Sequence, residues 1–240
     1  MLTALAFALT ISTQDDAWGT DFSKAPRLQG PNTLSVSEER EGFELLFDGR
    51  TAKFRGYKRG ALPTSWKAVD GEFRIEPGTD AGGDVVSLDQ YGDFDLRLEW
   101  KVNPGGNSGI FFRVTEDQRV GYFTGPEMQV LDDEKHPDGK NPLTSAGSNY
   151  GLYAPSTKVA KPAGQWNAVR IVVIKDHVRF WLNGTQIVEY TLGSPEWKAK
   201  VEASKFNQWP TYGTKKKGHI ALQDHGDKVA FRNIRIRRLD

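Results

Sequence analysis

The sequence predicts an all-β fold of antiparallel strands packed as a sandwich or barrel, and three observations predict it. Apolar residues alternate with polar ones along run after run. The 25 glycines and 12 prolines fall between these short runs as turn punctuation. No stretch carries the 3.6-residue apolar stripe of an amphipathic helix. Side chains of a strand point to opposite faces in turn, so alternation is what a half-buried strand must show.

The chain opens on an apolar stretch from Met1 to Ser12 holding Leu2, Leu5, Phe7, Leu9 and Ile11. It is too short to span a bilayer as a helix and reads as an export signal over residues 1–17, atypical in having no Lys or Arg before it. A periplasmic or secreted location is therefore expected, and no cysteine follows to carry a lipid anchor. Residues 18–41 are polar, include Pro26 and Pro31, and read as a linker or N-terminal extension with a short helix at Ser37 to Glu41. The domain proper is expected over residues 42–240.

Within it, Phe94, Leu96, Leu98, Trp100 and Val102 alternate with Asp95, Arg97, Glu99 and Lys101, which predicts a half-buried strand. Gln165 to Lys175 carries Val169, Ile171 and Val173 against Arg170, Val172 and Ile174, a strand buried on both sides for part of its length. Val178, Phe180 and Leu182 point inward on the next strand. Asn183-Gly184 then supplies the positive φ angles of a tight hairpin before Gln186 to Tyr190. Asn183-Gly184-Thr185 also matches a glycosylation sequon, but the turn is explanation enough. The last strands are His219 to Asp224 and Val229 to Arg237.

Composition narrows the partners. A chain of 240 residues, 38% hydrophobic and 11% aromatic, builds one large β-domain with a sizeable core. Its 32 basic and 31 acidic residues leave a net charge of +1, which argues against nucleic acid or an anionic membrane. Lys215-Lys216-Lys217 is short enough to be a solvated loop. The absence of cysteine excludes disulfides, thiolate nucleophiles and Cys-ligated zinc. No segment after the first is long and apolar enough to cross a membrane as a helix.

Several stretches resemble a known family. They are Gly42-Phe43-Glu44-Leu45-Leu46-Phe47-Asp48-Gly49, Asn107-Ser108-Gly109-Ile110-Phe111-Phe112-Arg113 and Glu127-Met128-Gln129-Val130-Leu131-Asp132, followed by Gln165-Trp166-Asn167, Trp181-Leu182-Asn183-Gly184, Gly218 to Gly226 and Phe231-Arg232-Asn233-Ile234. In this order and spacing they resemble the domain of unknown function 1080 family, also called the 3-keto-disaccharide hydrolase domain. The resemblance implies a concanavalin/glucanase-like jelly roll of two antiparallel sheets, commonly exported. It implies cleavage of glycosides whose glucose carries a ketone at carbon 3, and a functional link to the sugar 3-oxidoreductase that makes the ketone.

Alternation also builds a candidate site. Asn107, Gly109, Phe111 and Arg113 share one face of their strand; Glu127, Gln129 and Leu131 share one face of the next; His219, Ala221, Gln223 and His225 share one face of a third. The opposite rows, Ile110, Phe112, Met128, Val130, Ile220 and Leu222, are apolar. With those turned to the core, Asn107, Arg113, Glu127, Gln129, Gln223 and His225 converge on the open face, provided no bulge intervenes. Each has a plainer explanation: a cross-strand Arg113–Glu127 ion pair, glutamines satisfying loop backbone, His225 capping its turn, and Asn107 to Gly109 as turn chemistry. Asp132 and His136 lie in oxygen-rich loops and are candidate divalent-ion ligands, with no EF-hand spacing. Tyr150, Tyr153, Trp209 and Tyr212 sit in Gly/Pro/Ser-rich segments, where they would stack on sugar faces or cover the ends of the core. His177 and His219 read as exposed strand residues.

On the chemistry the resemblance implies, a 3-ketone acidifies the proton on carbon 2, the group on carbon 1 leaves by β-elimination, and water adds back. His225 or Glu127 is the candidate base. Arg113, Gln129 or Asn107 would hold the ketone or enolate oxygen, Gln223, Tyr153 and Trp209 would contact the sugar, and Asp224 would orient His225 or the turn. Two other readings stay open: an ordinary glycosidase with Glu127 and Asp132 or Asp224 as its carboxylates, and a carbohydrate-binding module without catalysis.

Overall fold

The structure, a computed structural model, describes residues 30–76 and 82–240. The apolar stretch read as an export signal lies outside the described residues. Antiparallel strands form two sheets, as a jelly-roll sandwich requires. The larger takes the order β11-β10-β9-β6-β13-β4-β3. These are β3 (Trp66–Val69), β4 (Glu72–Ile75), β6 (Phe94–Val102), β9 (Asn167–Ile174), β10 (His177–Leu182), β11 (Thr185–Thr191) and β13 (Val229–Arg238); β1 (Glu44–Leu45) adds to β13. The smaller sheet runs β2-β5-β12-β7-β8, made of β2 (Phe54–Gly56), β5 (Val85–Tyr91), β7 (Asn107–Val114), β8 (Glu127–Leu131) and β12 (Gly218–Leu222).

The core lies between the sheets, and the sequence alternation delivers it. Phe94, Leu96, Trp100 and Val102 of β6 meet Ile110, Phe112, Met128, Val130, Ile220 and Leu222 of the smaller sheet. Phe112 contacts Phe94 and Phe180 edge-on, with ring centroids at 6.0 and 6.2 Å. At the β10–β11 hairpin, Asn183 has φ 50° and Gly184 φ 86°, the left-handed pair that a two-residue turn needs.

The outer face of β6 departs from expectation. Asp95 and Arg97 are as buried as the apolar row. Asp95 is enclosed by Arg97, Arg170 and Arg237 at 3.2, 3.0 and 3.3 Å, and the Arg97 and Arg170 guanidiniums hold its carboxyl below the usual range against the opposing effect of burial. The lid on this layer is α1 (Val36–Arg40), begun by a capping box between Ser35 and Glu38. Glu38 reaches Arg235 at 2.6 Å and Arg97 at 3.6 Å, and the Asn32 and Asn233 N–H groups each donate to the other residue's side-chain Oδ1. Residues from Asn32 to Glu41 therefore pack on the large sheet. Charge alternating with apolar residues predicts solvent on the charged face, but complementary charge covered by a helix satisfies the same pattern.

The smaller sheet turns its other face outward. There Val86, Phe111, Val114 and Ala221 form a small second cluster against Tyr57 and Tyr122. One irregularity cuts across it. His219 pairs with Val114 but Ala221 with Phe111, so β7 carries one residue more than β12 over this interval. Arg113 takes up the slack with φ 52°.

Candidate active site

The outward face of the smaller sheet and the loops around it enclose a cleft of about 710 Å³. Its floor comes from β7, β8 and the segment after β12: Asn107, Glu127, Gln129, Gln223 and Asp224, with Asp84 just ahead of β5. Its walls are Tyr57, Tyr122, Tyr150, Phe206 and Trp209, and Arg59, Arg119, Lys205 and His225 lie on its charged rim. The predicted convergence thus holds for Asn107, Glu127, Gln129, Gln223 and His225, with Trp209 beside them.

Glu127 faces Phe111 across the β7–β8 ladder and is 8% exposed. Its carboxyl lies over Gly109, where a Cβ would collide with Oε1 and come within 2.8 Å of Cδ; only a residue without a side chain leaves this space. Burial pushes the carboxyl up to about 8, helped by Asp84 and Asp138 and opposed by Lys205, so Glu127 is protonated at neutral pH. Gln129, 1% exposed, has both amide atoms buried without a partner. An unmet buried amide costs roughly 1–3 kcal/mol, which a ligand would recover. Asn107 Oδ1 is also unpartnered, and its Nδ2 sits 3.5 Å from His136 Nε2. His136 Nδ1 accepts the Asp138 N–H, which puts the ring proton on Nε2. That tautomer favours the opposite amide orientation, oxygen to His136 and NH₂ to the cleft.

Asp84 and Asp224, which also line the cleft, form a carboxylate couple. Asp84 Oδ1 accepts the Asp224 N–H at 3.0 Å, while Asp224 accepts from Ser65 Oγ, Gly83 N and Gly226 N. Burial, with the Asp224 charge adding, pushes Asp84 up to about 6. Asp224 was expected on the opposite face; β12 ends at Leu222, so alternation no longer governs it. His225 is on the rim, its side chain 51% exposed and its Nδ1 3.9 Å from Asp227.

Four expectations are corrected. Arg113 does not face the cleft: the β7 bulge turns it to the turns at the sandwich edge, where it donates to Gly92 O at 3.0 Å and to Lys175 O, and pairs with Asp93 at 3.3 Å. Tyr153 stacks on Tyr190 at 4.8 Å, away from the cleft lining. His219 is buried, with Nδ1 2.7 Å from Ser87 O and Nε2 3.1 Å from Gln90. Asp132 spends its carboxyl on the N–H groups of Gly105 and Glu134, at 2.7 and 3.1 Å, and among the described residues no three His, Asp or Glu side chains cluster as metal ligands. Asp132 and His136 thus brace the loops on either side of Asn107.

Asp84, Tyr57, Lys205 and Phe206 are cleft residues that alternation did not flag, since all lie outside or at the ends of the periodic runs. Trp209 stacks on Phe123 at 4.3 Å and meets Tyr122 edge-on at 5.5 Å, which fixes the aromatic wall. Lys205 lies over the Tyr150 ring at 4.4 Å.

Comparison with known proteins places the chain in a family. A Bacteroides thetaiotaomicron protein named 3-keto-disaccharide hydrolase is 36% identical over 249 residues, spanning 91% of this chain and 86% of the relative. A crystal structure of a candidate glycosyl hydrolase from Parabacteroides distasonis superposes with TM-score 0.81 at 31% identity, covering 88% of this chain and 100% of that one. A second from the same organism gives TM-score 0.63 at 28% identity, over 82% of this chain and 99% of that one. Residues 42–237 match the 3-keto-alpha-glucoside-1,2-lyase-like domain, and the chain belongs to that family.

Proposed function

We propose that the protein cleaves 3-keto glycosides, disaccharides among them, by elimination across carbons 1 and 2 followed by hydration. The observation that carries this is the buried carboxyl of Glu127 beside the unpaired amide of Gln129 on the floor of a sugar-sized cleft. Gln129 and Asn107 supply donors for the ketone oxygen, which gains charge as the enolate forms. Glu127, holding its proton at neutral pH, protonates the oxygen that leaves carbon 1. The aromatic wall offers flat apolar surface to the sugar or to the departing group. The family resemblance and the name of the Bacteroides relative support the substrate class. A sugar 3-oxidoreductase would supply the ketone, and the apolar stretch from Leu2 to Ile11 supports export as the setting.

The test is release of nitrophenol from a nitrophenyl 3-keto-α-glucoside and from its unoxidised parent, with and without EDTA. Release from the keto substrate alone is expected. Release from the parent would favour an ordinary glycosidase, and sugar binding with no release from either would favour a binding module. Loss of release in EDTA would bring a divalent ion into the site.

A further inference from the structure

We propose that Asp84 is the base that takes the proton from carbon 2, acting opposite Glu127, with Asp224 as its positioning residue. This rests on the reading of the cleft as a 3-keto glycoside site and assigns a role within it.

The reaction needs two groups in opposite protonation states. In the elimination a base takes the carbon-2 proton, and the C–H electron pair forms the enolate of the 3-ketone. The enolate then reforms the ketone, a double bond forms between carbons 1 and 2, the bond from carbon 1 to oxygen breaks, and the leaving oxygen takes a proton from an acid. Hydration reverses both transfers: water adds its oxygen to carbon 1 and gives a proton to the former acid, and the former base returns its proton to carbon 2. Both groups end as they began, and no oxidant or reductant is consumed.

Glu127 fills the acid role, so the base must be an ionised group on the same cleft. Three further candidates line the cleft: Asp84, Asp224 and His225. Asp224 is spent, since Ser65, Gly83 and Gly226 donate to its two oxygens. His225 stands half in solvent on the rim. Asp84 is half-buried, and the Asp224 N–H on Oδ1 fixes its carboxyl while Oδ2 meets no donor among the described residues. The charged and titratable groups that bear on it are Asp224, Glu127 and Tyr57, with Arg59, Lys205 and His225 on the rim. Burial, with the Asp224 charge adding, pushes Asp84 up to about 6 and makes it a stronger base than a free aspartate. Two carboxyls held apart in this way divide into an acid and a base.

Proton transfer can be read separately from bond cleavage. The 3-keto form of 1,5-anhydroglucitol carries the ring oxygen but no glycosidic group on carbon 1, so in D₂O the loss of its carbon-2 proton signal by NMR, resolved from that of carbon 4, reports proton transfer without glycoside cleavage. Asp84→Asn is expected to lower both this exchange and cleavage of the 3-keto glucoside by at least about 100-fold. Glu127→Gln is expected to keep exchange within about threefold of wild type while losing cleavage of a poor leaving group. Formate is expected to restore exchange to Asp84→Ala, a rescue that a merely structural role would not show. Wild-type exchange in Asp84→Asn, with a melting temperature showing that it is folded, overturns the assignment, as does loss of exchange in His225→Ala with Asp84→Asn unaffected. Wild-type protein that neither exchanges nor cleaves would instead bring down the 3-keto glycoside reading itself.

Discussion

Replacing Glu127 by glutamine keeps the shape of the side chain and removes its titration, so the pH dependence of the effect on stability isolates what burial does to the carboxyl. The folded state holds this proton more tightly than the unfolded chain, because the carboxyl moves from its ordinary 4.5 up to about 8 on burial. The sign follows: stability from this group is complete below about pH 4.5 and is lost as the pH climbs toward about 8. Ionisation of the unfolded chain costs the wild type about 1.4 kcal/mol at pH 5.5 and about 5 kcal/mol at pH 9, while the amide pays neither. Any penalty for burying the amide is the same at both values and cancels. Relative to wild type, Glu127→Gln should therefore gain about 3 kcal/mol more at pH 9 than at pH 5.5, or about 10 °C in melting temperature for a chain of this size. Thermal melts of the two proteins across pH 5.5 to 9 measure it. A difference in melting temperature that does not change with pH would refute the reasoning, because the carboxyl would then titrate alike in folded and unfolded chain.

Gly109→Ala places a methyl against the Glu127 carboxyl and is expected to cost about 1–3 kcal/mol in urea unfolding, with at least a tenfold loss of activity. Trp209→Ala should raise KM by about 2–12-fold with a smaller change in kcat, read from steady-state kinetics on a 3-keto glycoside, since a ring contact is worth about 0.5–1.5 kcal/mol. Arg113→Met removes the donor from Gly92 O and Lys175 O and the ion pair from Asp93, which keeps the Lys175 N–H, and should cost about 2–4 kcal/mol by denaturant titration. Its kcat/KM below the melting range should stay within about threefold of wild type, and a larger loss would return Arg113 to the site.

Much of the fold was legible because each strand had to bury one face. The alternating run from Phe94 to Val102 and the Asn183-Gly184 turn state their geometry outright. The site was legible where the same alternation continued, from Asn107 to Phe111 and over Glu127 and Gln129. It failed at Arg113, where a single extra residue reversed the phase, and at Asp224, where the strand had already ended. Neither bulge nor strand end leaves a mark in the hydrophobic pattern, since Phe112, Val114, Ile220 and Leu222 are apolar in either phase. Asp84 was illegible for a different reason. It lies ahead of a strand in a glycine-rich stretch, and only the return of the chain at Asp224, far along the sequence, gives it a neighbour.

The cleft draws its parts from two kinds of source. Its polar floor rises from paired strands or, at Asp84 and Asp224, from residues joined where the Asp84 carboxylate accepts the Asp224 N–H, while Tyr57, Tyr122, Phe206 and Trp209 come from excursions that connect those strands. Chemistry and choice of cargo are thereby carried on separable pieces of chain. The excursions can lengthen, shorten or exchange their rings without altering the register that places Glu127 over Gly109. A lineage, or an engineer, could redirect this scaffold from one departing group to another by editing connections alone.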